Sequence, residues 1–226
     1  MPTPVVSTGS PAHERTFAFV DLAGFTALTE AHGDEEAVSQ VERFVVLTRQ
    51  SLGHRDQLVK CLGDAVMLCF HSPEEALVSL QQLLSACAAE PRLPIPRAGV
   101  HHGLALERQS DWFGATVNLA ARVAGQAQGG QTLATGAVAS AARMKTLQVT
   151  ELGRFSLRNI AQPVELFDLQ LVPPTESASV DPVCRMQIRH ASAAGRLRYD
   201  GRDYWFCSFE CIGAFTESPG RHIGKQ

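Results

Sequence analysis

The sequence lacks any apolar run near the ~18 residues that a membrane-spanning helix needs, so no such helix is expected within it. It also lacks the opening of a secretory leader. Met1 to Glu14 carries three prolines and no Lys or Arg ahead of an apolar stretch. We read 1–14 as a disordered tail and expect a cytoplasmic protein whose thiols stay reduced. Charge of one sign is scarce too. A net charge of −3 leaves no footprint for nucleic acid or an anionic membrane, so neither is expected as a partner. Internal repeats and low-complexity tracts are absent. Aromatic residues are few, yet both tyrosines and one of the two tryptophans fall after residue 180.

What is present is ordinary for a soluble globular chain: 45 % apolar and 19 % charged residues. A length of 226 residues fits one domain of usual size, able to bury its own core, plus a small one. Residues 180–226 hold 7 Lys+Arg against 5 Asp+Glu, whereas the remainder holds 13 against 18. That change of sign, with the Pro- and Ser-containing stretch VPPTESASV, puts a linker at 173–180 between domains at 15–172 and 181–226. Cys61, Cys69 and Cys87 stand singly among apolar residues and read as small core side chains.

Thr16 to Leu22 is an apolar, aromatic run and predicts a buried strand, ended by Gly24. Apolar spacing predicts a helix over Asp34 to Leu52, stopped by Gly53. Gln57 to Leu62 and Ala65 to Phe70 flank Gly63-Asp64, a hairpin signal. Ser72-Pro73-Glu74-Glu75 opens a helix to about Ala89, with a good N-cap and acids facing the helix dipole. A strand over Arg97 to Leu106, a turn at Asp111 to Gly114 and an Ala-rich helix over Thr116 to Ala127 follow. Short strands are expected at Gln131 to Thr135, Gln148 to Glu151, Gly153 to Leu157 and Val164 to Leu171. Alternating elements that include a hairpin point to an α+β sandwich rather than a doubly wound sheet. His101 and His102 are neighbours on a strand, face opposite ways and read as ordinary strand residues.

Two carboxylates sit in costly company. Asp21 interrupts the apolar FAFVDLAGF, and Asp64 tips a hairpin between KCL and AVMLCF. Each alone is as well explained by a turn. A third segment, DWFGATVNLAAR at 111–122, sets Asn118 and Arg122 four apart on one helix face with only Leu and Ala between. An amide and a guanidinium rising together from an apolar helix suit a sugar or phosphate.

FVDLAGFT, KCLGD and DWFGATVNLAAR resemble, in order and spacing, the three signatures of class III adenylyl and guanylyl cyclases, and LGRFSLRNIAQPVELFDL resembles that family's closing hairpin. The resemblance covers about residues 14–172. It implies a ferredoxin-like cyclase sandwich that converts ATP to 3′,5′-cyclic AMP and pyrophosphate. Asp21 and Asp64 would bind two Mg²⁺ or Mn²⁺ ions, helped by the carbonyl of Leu22. Gly24, Phe25 and Thr26 would cradle the triphosphate. Lys60 and Asp111 would read the purine, Asn118 would orient the ribose, and Arg122 would stabilise the transition state. Arg158 falls where the family usually has a triphosphate-binding Lys, with Asn159 in place of the usual Gly. The resemblance also implies a homodimer that shares two sites. Hard cations want carboxylate oxygens, and phosphoryl chemistry rests on positioning and charge neutralisation. A Lys donor beside an Asp acceptor matches N1 and N6 of adenine, which predicts ATP over GTP. The alternatives are a non-catalytic nucleotide-binding signalling module, a metal sensor, or a guanylate cyclase.

The tail is too short to hold a core unaided. DPVC-x-M, YWFCS and the Cys207/Cys211 pair resemble a YHS domain, a treble-clef-like module. Cys184, Cys207 and Cys211 would hold Zn²⁺ or another soft ion such as copper. The fourth ligand is open among Asp181, Met186, His190 and His222. Three packed thiols in an aromatic mini-core are the alternative, and the tail is expected to regulate or localise the enzyme.

Overall fold

The computed structural model describes residues 11–90, 92–173 and 178–223. Its centre is β1 (Ala12–Leu22), followed by α1 (Phe25–Ser51), the hairpin β2 (Gln57–Leu62) and β3 (Ala65–Phe70), and α2 (Pro73–Ala89). Next come β4 (Pro96–Arg108), β5 (Asp111–Phe113), α3 (Ala115–Ala124), β6 (Thr132–Ala134), α4 (Gly136–Met144), β7 (Gln148–Phe155) and β8 (Val164–Gln170). These strands form one eight-stranded sheet in the order β2-β3-β1-β4-β6-β8-β7, with β5 paired to β4. Only β4 and β6 run parallel; the other pairs are antiparallel. The α+β class expected from the hairpin is therefore found. No helix among the described residues is long and apolar enough to cross a membrane.

β1 is apolar on both sides because both faces of the sheet are covered. Ala18, Val20 and Leu22 pack with Phe44, Leu77, Leu80 and Val138 from α1, α2 and α4. Phe17, on the other side, joins Met67, Trp112, Val117 and Ala120 beneath α3. Asp21 belongs to the Phe17 side by the two-residue period of a strand. α3 lies hard against β4 because Gly99 has no side chain: a Cβ there would fall 1.9 Å from the Ala124 amide nitrogen.

Several boundaries differ from the sequence reading. Residues 12–14, expected in a loose tail, begin β1 and pair with Leu104–Leu106; residues 1–10 lie outside the described residues. The first helix starts at Phe25, not Asp34, because two helical stretches meet at Gly33, whose φ of 82° suits a residue without Cβ. Asp111–Phe113 forms a strand on β4 rather than a turn. α4 has an Ala-rich sequence that gave no periodic signal. The two strands expected around 148–157 are one strand whose register slips between Glu151 and Gly153. Cys69 and Cys87 are buried, and burial pushes both thiols up to about 12. Cys61 is exposed instead, because β2 is the edge of the sheet. His101 and His102 do go different ways, to Thr135 and Thr16.

In the C-terminal part, residues 178–180 are not linker. They form β9 (Ala178–Val180) on β10 (Gln187–Arg189), while 174–177 lie outside the described residues. A second hairpin, β11 (Gly195–Tyr199) with β12 (Arg202–Phe206), leads into α5 (Phe209–Glu217). Val183, Met186, Phe206 and Phe215 make its core together with Leu28 and Ala37 of α1. The small domain thus borrows apolar surface from the large one, which offsets its lack of bulk.

Candidate functional site

β1 sits between β3 and β4, and that register gathers charge around Asp21. Its partner on β3 is Ala65, next to Asp64; its partner on β4 is Arg97. The Arg97 guanidinium forks onto the carboxylate, Nε to Oδ1 at 2.6 Å and Nη2 to Oδ2 at 2.9 Å. Its Nη1 donates to the Ala127 carbonyl at 3.2 Å, which fixes the fork. Among the described residues, Asp64 has no such ion-pair partner. Burial raises its carboxyl above the usual range; its own backbone amide opposes this, while Asp21 raises it further and Arg97 lowers it. Two half-buried carboxylates facing one guanidinium leave an excess of one negative charge, as a cation site requires. Leu22 is buried beside them. Gly24 follows with φ of 80°, starting α1 in a conformation that glycine takes without cost.

Lys60, on β2, reaches Asp111, on β5. Its Nζ lies 2.8 Å from Oδ1 and 2.6 Å from Oδ2. The Lys60 ammonium holds the Asp111 carboxyl below its usual range, and the Trp112 amide adds a bond at 2.8 Å. The pair is partly exposed, so it adds little to stability. α3 buries Thr116, Val117, Ala120, Val123 and Ala124 and leaves Asn118 and Arg122 exposed. Both therefore project outward from the sheet. Arg158 is exposed in a turn, and Asn159 takes φ of 62°. Asn tolerates that left-handed conformation better than most residues, which accounts for its standing where glycine is usual.

The sequence reading missed Arg97. No local signal marks it; only the strand register sets it beside Asp21.

The described residues hold one group of three or more His, Cys, Asp or Glu side chains close enough to share an ion: His32, Cys184, Cys207 and Cys211, whose ligand atoms all lie within 4.8 Å of one another. The three cysteines come together as expected, but none of the four candidates supplies the fourth position. Asp181 is fully buried, and its carboxylate accepts from the amides of Val183 at 2.8 Å, Cys184 at 3.4 Å and Cys207 at 2.8 Å. Met186 is packed in the core. His190 bonds Ser179 and stacks on Trp205 at 4.0 Å, and His222 lies beside Phe215. His32 comes from α1, more than 150 residues earlier in the chain. Asp181 is thus the frame of the cluster, tying both cysteine-bearing turns to one carboxylate. Asp181→Ala strands buried amides and is expected to cost about 1–3 kcal/mol, read as an earlier unfolding transition of the C-terminal domain.

Comparison with known proteins decides the family. The sequence model described as the adenylate and guanylate cyclase catalytic domain matches residues 9–170. The chain belongs to that family. A YHS domain matches residues 179–225. Over 160 residues the cyclase domain is 36 % identical to the pH-sensitive adenylate cyclase of Mycobacterium tuberculosis (strain CDC 1551 / Oshkosh), covering 69 % of this chain and 40 % of that protein. An adenylate cyclase of Streptomyces griseus is 34 % identical over 122 residues, covering 54 % of this chain and 31 % of that one. The chain therefore spans well under half the length of these relatives. Among solved structures, an adenylate cyclase from Trypanosoma brucei in its monomeric state superposes with TM-score 0.64 at 26 % identity, covering 74 % of this chain and 92 % of that one. CyaB of P. aeruginosa shares the fold with TM-score 0.60 at 17 % identity, covering 74 % and 97 %.

Proposed function

We propose that the cyclase domain is an adenylyl cyclase that closes ATP to 3′,5′-cyclic AMP and releases pyrophosphate. One observation carries the reading: Asp21 and Asp64 converge at the end of β1, in a domain that also holds a preformed Lys60–Asp111 pair.

Asp21 and Asp64, with the Leu22 carbonyl, fit two Mg²⁺ or Mn²⁺ ions, since the donors are hard oxygens and one carboxylate has no fixed cation of its own. Such ions, when bound, supply charge for the phosphate oxygens and lower the pKa of the attacking hydroxyl. The chain's own groups do the rest. Backbone at Gly24, Phe25 and Thr26 holds the triphosphate, with Arg158 as a further cation. Lys60 donates to adenine N1 and Asp111 accepts from the N6 amine. Asn118 orients the ribose so that O3′ stands in line with the α-phosphorus. The O3′–Pα bond forms, the bond from Pα to the bridging oxygen breaks, and the hydroxyl proton leaves to solvent. Arg122 neutralises charge gathering on the phosphoryl oxygens. Arg97 holds Asp21 through its forked ion pair and keeps that carboxylate oriented at the end of β1.

Exposure of Asn118 and Arg122 on α3 supports a homodimer in which each protomer lends these two residues to its partner's carboxylates. Incubation of the purified chain with Mn²⁺ and ATP or GTP, with product identification, tests the reading. Cyclic AMP from ATP is expected. Nucleotide binding without any product would make the domain a non-catalytic module. Equal turnover of GTP would overturn the roles of Lys60 and Asp111.

A further inference from the structure

The thiolate cluster lies between two domains rather than within one. Cys184 follows β9, Cys207 and Cys211 flank the start of α5, and His32 ends the first stretch of α1, one residue before its break at Gly33. Four edges of the group measure 3.4 Å from Cys184 Sγ to Cys207 Sγ, 3.7 Å from Cys207 Sγ to Cys211 Sγ, and 3.4 and 3.7 Å from those last two sulfurs to His32 Nε2. A tetrahedron built on metal–sulfur bonds of about 2.3 Å and a metal–nitrogen bond of about 2.0 Å has edges of about 3.8 and 3.5 Å. The four atoms are already near that shape. Three thiolates and an imidazole select a borderline-soft ion over Mg²⁺.

We propose that one such ion, Zn²⁺ by its chemistry, is an interdomain clasp: Cys184, Cys207 and Cys211 of the YHS domain hold it on three sides and His32 of the cyclase domain on the fourth. The clasp fastens the C-terminal domain to the helix that leaves the phosphate loop. His32 anchors the stretch 25–32, which lies between Gly24 and Gly33, both in the left-handed region. Leu28 on that stretch, and Ala37 just beyond it, pack into the C-terminal core. Next to Cys184, Arg185 lays its aliphatic stem on Gly24; a Cβ added to Gly24 would fall 2.3 Å from Arg185 Cγ. The ion thereby sets one wall of the loop assigned to the triphosphate. This last consequence rests on the cyclase reading; the clasp itself does not.

The test uses the full chain. Co²⁺ is expected to bind with the intense visible bands of a four-coordinate thiolate site, and Zn²⁺ to displace it. His32→Ala is expected to weaken Zn²⁺ at least about tenfold in competition with a chromogenic chelator and to dim those bands, since even outer-shell partners of a metal are worth about 10–100-fold. His32→Cys restores four-coordination with an added thiolate band, which separates loss of a ligand from loss of fold. His190→Ala and His222→Ala leave affinity and spectrum unchanged. Chelation of the wild type speeds hydrogen exchange in Phe25–Ala37, and in His32→Ala that stretch exchanges fast from the outset. Turnover then responds to a zinc-selective chelator in the wild type and not in His32→Ala. Wild-type affinity and spectrum in His32→Ala overturn the clasp, as does exchange in Phe25–Ala37 that ignores the ion. An intact clasp in a chain that makes no cyclic nucleotide refutes the cyclase reading alone.

Discussion

Asp21→Ala is expected to lower cyclase turnover by at least about 10²-fold, the scale of losing one well-placed charge at a reacting phosphate. Its fold should survive, because the ion pair it breaks leaves Arg97 partly exposed and able to find water. Far-UV circular dichroism and the unfolding midpoint check that point. Arg122→Ala is expected to fall as far, for a different reason: it removes charge at the transition state from a side chain outside the core. Mixing the two inactive chains then separates a shared site from a private one. Half the dimers formed at random join one chain of each kind. Each has one site with both defects and one with neither, so activity should recover to about a quarter of wild type. No recovery on mixing, with exchange of subunits verified, would place carboxylates and arginine in the same protomer's site and overturn the arrangement.

The parts of this architecture legible in the sequence are those set by local rules. The Gly63-Asp64 hairpin and α2 follow from turn and cap chemistry: Ser72 accepts from the Glu75 amide as an N-cap should. Both elements fall where the sequence puts them. β1 was legible as a buried strand because every second residue on each face meets a packed layer. What the sequence hid depends on partners distant along the chain. β5 is a strand because β4 is long enough to offer it Leu106–Arg108, and a three-residue run carries no period of its own. Arg97 owes its place beside Asp21 to a pairing 76 residues apart.

The fourth thiolate-cluster position was hidden for the same reason. The candidates that the sequence offers all lie within the C-terminal segment itself. His190, His222, Asp181 and Met186 are all taken up by other contacts there. The vacancy is filled by His32 because the small domain packs on α1 and brings that helix to the sulfurs. Ligand spacing is a local signal only where the ligands share a local fold.

Nucleotide choice offers a second large effect. Lys60→Glu with Asp111→Cys is expected to move preference from ATP toward GTP, read as the ratio of kcat/KM for the two. The existing pair presents a donor and an acceptor held together before any base arrives, Nζ within 2.8 Å of both carboxylate oxygens. Adenine offers the matching acceptor at N1 and donor at N6. Guanine inverts both, so it would leave an ammonium facing a ring N–H and a carboxylate facing a carbonyl. Sites built on such pairs reject the wrong partner by up to about 10⁴-fold, because buried polar groups are left unmet. This pair is partly exposed, so the smaller figure of about 10²-fold, one unmet charged hydrogen bond of about 1.5–3 kcal/mol, is the better expectation. Each single change removes the Lys60–Asp111 bond without building its replacement. Lys60→Glu also sets two carboxylates against each other. Both single variants should therefore turn over either nucleotide poorly, and only the double variant should recover with GTP. A double variant that keeps the wild-type ratio would mean the purine is read elsewhere, and that Lys60 and Asp111 serve only to tie β2 to β5.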